Sequence, residues 1–151
     1  MLTAKDIMTR QVITVPPSMP VEDLAALLYE KKISGAPVVD KDNRLLGVVT
    51  ESDLIDQTKK FHFPTVISIL DSVIFLDKEE KVEKEIRKMT GRTVKDIYTP
   101  SSRTVGLDTP LDEIATIMAE KRQHTLPVMD NGDLVGVVGK SDIIRTLIKK
   151  K

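Results

Sequence analysis

Residues 47–55 read GVVTESDLI, and residues 136–144 read GVVGKSDII. A nine-residue phrase written twice marks an internal repeat, and the duplication extends outward from both copies. Upstream, AKDIMTRQVITVPPSMPVEDLAALLYEKKISGAPVVD (4–40) lies on VKDIYTPSSRTVGLDTPLDEIATIMAEKRQHTLPVMD (94–130). One residue is lost where KDNR faces NGD, and RLLGVVTESDLI then meets DLVGVVGKSDII. About twenty of roughly fifty aligned positions are identical, so each copy is one supersecondary unit.

The periodicities inside a copy alternate between strand and helix. VITV (12–15) is a β-rich run closed by Pro16 and Pro17, and Pro20 then stands where a helix begins, with Ser18 as a candidate cap. Val21, Leu24, Ala25, Leu27 and Leu28 recur at helical spacing, and Gly35 and Pro37 are expected to stop that helix. APVV (36–39) and LLGVV (45–49), separated by the turn composition of Asp40–Arg44, predict a hairpin, and SDLIDQTKK predicts a closing helix. The second copy repeats the order as RTVG, PLDEIATIMAEKR, LPVM, DNGD, LVGVV and SDIIRTLIKK. A single βαββα unit leaves one sheet face and its edges open. Two such units packed sheet to sheet close a shared core, which predicts a mixed α/β (α+β) fold with pseudo-two-fold symmetry.

The expected organisation is a first repeat over 1–58, a structured insert over 59–93 and a second repeat over 94–151. Within the insert, Asp77 with Glu80 resembles a helix start, and Val82, Ile86 and Met89 line one face before Gly91. The apolar stretch around Phe61–Leu76 needs burial, either against the repeats or in a dimer or partner surface.

Composition narrows the function classes. The 151 residues are 40% hydrophobic, enough for a core, and 23 basic residues balance 23 acidic ones. A formal charge of zero gathers neither nucleic acid nor an anionic membrane, and Lys149–Lys151 reads as a solvated helix end rather than an RNA-contacting tail. With no cysteine, disulfides, thiolate nucleophiles and Cys-ligated zinc are excluded, and two histidines, His62 and His124, cannot make a His-rich metal site. No phosphate-binding glycine loop, HExxH or GxSxG occurs, so no catalytic residues are expected. MLTAKDIMTR lacks an apolar signal core, and FPTVISILDSVIFL (63–76) is too short to span a bilayer, which points to a cytoplasmic protein.

The order DIMT, ITV with a following proline, a helix, PVVD, a turn and LLGVVTESDLI, all duplicated, resembles the CBS domain family, and two in tandem resemble a Bateman module. The resemblance implies a regulatory, non-catalytic pair. Its clefts would take AMP, ADP, ATP or an S-adenosyl compound as regulatory ligand, and it would assemble as a homodimeric disc of four CBS units that signals to an effector protein.

Carried over by position, Gly47, Thr50 and Asp53 match the ribose and phosphate motif. Ile13, Thr14, Ala36 and Pro37, with Ile7 and Met8 nearby, match the adenine slot of the first site. An aspartate can accept from two vicinal ribose hydroxyls, and a threonine hydroxyl at a helix start can hold a phosphate oxygen. The same Thr50–Asp53 spacing is also a helix-capping pattern. In the second site the equivalents are Arg103, Thr104, Leu126 and Pro127 with Gly136, Gly139 and Asp142. Gly139 in place of threonine removes a hydroxyl, a loss of about tenfold in affinity, so this copy is expected to bind more weakly or with help from Lys140 and His124. The competing expectation is an interaction protein that uses the pair only to dimerise.

Overall fold

The computed structural model describes residues 1–60, 92–100 and 102–148. The predicted apolar stretch and amphipathic helix of the insert, His62 and the lysine tail lie outside the described residues. Elements occur in the order α1 (Ala4–Ile7), α2 (Val21–Lys31), β1 (Gly35–Val39), β2 (Leu45–Thr50), α3 (Glu51–Lys60), α4 (Val94–Ile97), β3 (Thr99–Pro100), β4 (Val105–Gly106), α5 (Leu111–Lys121), β5 (Thr125–Asp130), β6 (Asp133–Gly139) and α6 (Lys140–Thr146). Among the described residues no helix is long and apolar enough to cross a membrane.

Each repeat centres on the predicted hairpin. β1 and β2 pair antiparallel with Gly35 opposite Thr50, and β5 and β6 pair with Thr125 opposite Gly139. The β5–β6 turn is Asn131-Gly132 with both φ angles positive, 51° and 85°, the conformation that matches the twist of paired strands. The longer first turn is held by Asp40, whose Oδ1 accepts from the N–H groups of Asp42 and Arg44, each at 2.9 Å.

The predicted first strands are shorter than VITV and RTVG. Of the former only Val15 pairs, parallel to Val38, and of the latter only Val105–Gly106 pairs, parallel to β5. Prolines at 16 and 17 supply no N–H to continue the ladder beyond Val15.

The expected helix boundaries also move. Pro20, not Ser18, is the N-cap of α2, and the first helical N–H, that of Val21, donates to the carbonyl of Arg92 at 3.0 Å. Lys32 ends the helix in the left-handed conformation, φ 55°, with its N–H returning to Leu28 and Tyr29. Gly35 is therefore free to open β1. Arg122, φ 52°, does the same after α5.

The segments that precede each repeat's first strand cross to the other repeat. β3, at the start of the second repeat, pairs with β2, setting Val48 against Thr99 and Gly47 against Pro100. Thr9 reciprocates: it exchanges two backbone hydrogen bonds with Val137, at 2.8 and 3.0 Å. The cores follow the crossing. Ala4, Ile7 and Met8 are buried with Val105, Ile114, Leu126 and Val138, whereas Val94 is buried with Val15, Leu24, Val38 and Val49.

The crossing explains the repeated glycine of GVV. A Cβ on Gly47 would run into the carbonyl oxygen of Thr99, and one on Gly136 into the Met8 sulfur. These glycines admit the crossing segment. The two sheets meet where β1 lies against β5. At that contact the repeat-equivalent positions Gly35 and Thr125 face each other, a Cβ on Gly35 falling 2.6 Å from Thr125 Oγ1.

Candidate functional site

Two adjoining clefts flank that contact. The first, of about 810 Å³, is lined by Ile13, Ile33 and Pro37 of the first repeat together with Gly139, Lys140 and Asp142 of the second. The second, of about 390 Å³, combines Thr50 and Asp53 with Thr99, Ser102, Arg122 and His124. Both volumes fall in the range of small-molecule sites.

The clefts are thus assembled across the repeats, which corrects the grouping expected from sequence. Ile13 and Pro37 sit with Asp142 rather than with Thr50 and Asp53, because the packed sheets bring the β1 entrance of one repeat to the β6–α6 junction of the other. Thr14 is half-buried, and Ala36 is fully buried in the first core, so Ala36 can offer a ligand only its backbone. Leu126 and Pro127 are likewise closed off inside, and Pro37, equally buried, offers the first cleft little side-chain surface. Arg103 and Thr104 are exposed, and Gln123 Nε2 ties this loop to β5 by donating to the carbonyls of Arg103 and Thr125 at 2.9 and 3.1 Å. Ile7 and Met8 are core residues, Met8 covering Gly136. His124 and Lys140 line the second cleft, and Lys140 lines the first as well.

Each cleft has one partly or fully buried carboxylate in the first turn of a helix. Asp53 Oδ2 accepts from the Thr50 N–H at 2.9 Å and from the Thr50 hydroxyl at 3.2 Å, so the capping reading of this motif holds. Among the described residues its other oxygen, Oδ1, accepts from none, which leaves an acceptor available to a ligand. Burial holds the Asp53 carboxyl above the usual aspartate range, opposed by the two Thr50 hydrogen bonds that favour its charged form.

Asp142 is more committed. Only 4% exposed, it accepts from the Gly139 N–H through Oδ2 at 2.7 Å, and its Oδ1 takes the Thr9 hydroxyl and Arg145 Nη2, both at 3.2 Å. The backbone N–H of Gly139 does for Asp142 what Thr50 does for Asp53. A carboxylate has about four lone-pair sites, of which these partners occupy three.

Sequence reasoning missed Thr9, Thr99 and Ser102 as cleft residues. Thr9 and Thr99 close the matched DIMT and DIYT motifs, so the repeat alignment itself contained the signal. Lys121 and Arg122, in the second cleft, end α5 where helix-end cations are ordinarily solvated. Among the described residues no group of three or more His, Asp or Glu side chains could hold a metal ion.

A family model for the CBS domain matches residues 4–59 and again 94–149. The CBS domain-containing protein CBSX2, chloroplastic, of Arabidopsis thaliana is 32% identical over 160 residues, covering 99% of this chain and 65% of that protein. The chain therefore spans a little under two thirds of that relative's length. The uncharacterized protein MJ1426 of Methanocaldococcus jannaschii is 30% identical, covering 95% of this chain and 90% of its own. Among solved structures, CBSX2 in complex with AMP superposes with a TM-score of 0.72 at 31% identity, covering 97% of this chain and 96% of that one.

Proposed function

The chain belongs to the CBS domain family, and from that premise we propose that it is a regulatory module whose clefts bind an adenosine-containing ligand, an adenine nucleotide or an S-adenosyl compound. The observation that carries the reading is the placement of one partly or fully buried carboxylate in each cleft, Asp53 and Asp142, where ribose hydroxyls can donate to it. The second cleft adds the Ser52 and Ser102 hydroxyls, the His124 imidazole and the cations of Lys121, Arg122 and Lys140, a suitable wall for phosphate. The AMP complex of CBSX2 supports the same ligand class here.

Ligand occupancy is proposed to reach an effector protein through a conformational change, with the module acting as a homodimer in the cytoplasm. We read it as a binding module rather than an enzyme; turnover of bound nucleotide that disappears in Asp53→Ala or Asp142→Ala would reverse that reading.

Calorimetry with AMP, ATP, adenosine and S-adenosylmethionine tests the proposal. Binding should weaken about tenfold or more in Asp53→Ala, the scale of a lost hydrogen bond to a charged group. No heat from any of these compounds at millimolar concentration would overturn it. A second reading, a pair that only dimerises, draws on the fact that Asp53 and Asp142 already serve as helix caps. It predicts a melting temperature unmoved by every nucleotide, whereas a binding module is stabilised by mass action.

A further inference from the structure

The two clefts are not separate rooms. Ser34, Glu51, Thr125 and Lys140 line both of them. Glu51 and Lys140 occupy equivalent places in the two repeats, each the first residue of its helix after the β hairpin, so the shared wall bears one acid where its twin bears one base. On this wall Lys140 is the only cation that faces both spaces among the described residues.

Resting on the proposed ligand class, we infer that phosphorylated ligands bind the two clefts in opposition to each other, with Lys140 and Glu51 setting the opposition, while uncharged nucleosides fill them independently. A lysine ammonium is a compact point charge on a flexible stem and can turn to an anion on either side. Once a phosphate in one cleft has engaged it, a phosphate entering the other meets an occupied cation, the Glu51 carboxylate and the first ligand's charge. Glu51 and Lys140 are both exposed, so the like-charge repulsion is screened by salt and is strongest at low ionic strength. Adenosine has no phosphate and escapes this repulsion. The coupling is reciprocal, so it holds whichever cleft fills first.

Calorimetric titration of the full chain with AMP and, separately, with adenosine tests the inference. AMP should bind in two steps separated by about a hundredfold at low salt, beyond the roughly tenfold that the hydroxyl missing at Gly139 accounts for, and adenosine in two steps without that separation. An AMP gap of only about tenfold would overturn the coupling. Lys140→Ala should weaken the tighter AMP step, and Glu51→Gln should strengthen the weaker one, so each variant narrows the gap. Glu51 and Lys140 are exposed, and an unchanged melting temperature in the absence of ligand confirms that the fold is intact. Equal AMP affinities in the wild type would overturn the inference. So would a gap of the same size for adenosine, a gap untouched by both variants, or a single AMP step that stays single in both. Failure of AMP and adenosine alike to bind would remove the ligand reading itself and this inference with it, an outcome distinct from binding without coupling.

Discussion

Gly35, Thr50, Thr125 and Gly139 form a complementary set at the junction of the repeats. Gly35 pairs with Thr50 in one hairpin and Thr125 with Gly139 in the other, and the equivalents Gly35 and Thr125 face each other between the sheets. A Cβ on Gly35 would meet Thr125 Oγ1 at 2.6 Å and Thr50 Cγ2 and the Val49 carbonyl at 3.0 Å, whereas one on Gly139 finds its nearest neighbours at 3.8 Å. Gly35→Ala should therefore cost about 1–3 kcal/mol by overpacking, and Thr125→Ala should restore part of it, the Val49 carbonyl remaining in the way. Gly139→Thr should stay within about 1 kcal/mol of wild type, because comparable capping and a less free unfolded chain offset a γ-methyl set against Thr125 as Thr50 Cγ2 is set against position 35. Urea midpoints decide the matter, and a Gly35→Ala variant as stable as wild type would refute the packing argument. From sequence, the exchange of Thr50 for Gly139 was legible as a missing phosphate donor only. Its pairing with Gly35 and Thr125 was not, because contacts between repeats leave no period along the chain.

The helices and hairpins were legible because their signals are local: apolar spacing in α2 and α5, Asn-Gly in the second turn, Asp and Asn in the first. The four-residue helices α1 and α4 and the crossing segments were not. Alternation says which face a side chain takes but not whose sheet receives the strand. That omission also misassigned the clefts, since Thr9 and Thr99 arrive by crossing. Interlocked cores have a thermodynamic signature. Leu24 lies in one core and Ile114 in the other, both fully buried, so alanine at either should cost about 2–5 kcal/mol. Because each core contains residues from the opposite repeat, both variants should shift one cooperative transition seen alike by circular dichroism and fluorescence of Tyr29 and Tyr98. Two separable transitions, one for each variant, would contradict the interlock.

At the scale of the molecule, apolar side chains remain outside the two cores on α2, α3 and α6. Tyr29 is 86% exposed, Ile55 66% and Leu147, just beyond α6, 75%, with Ile144 on α6 also exposed. The proposed homodimer would cover such surface, and replacing Ile144 and Leu147 with aspartate should raise its dissociation constant about tenfold or more. Sedimentation velocity reads the change directly; a wild-type chain that stays monomeric across the micromolar range would remove the dimer from the proposal. The junction at Gly35 and Thr125 also bears on how such a chain can be rebuilt. An idealised protein made by copying the first repeat twice would place glycine at both facing positions and threonine at 139, losing some contact but removing the close approach between position 35 and Thr125. Copying the second repeat twice would set threonine against threonine and wedge the sheets apart. At this junction the first half is the better parent of a symmetric descendant.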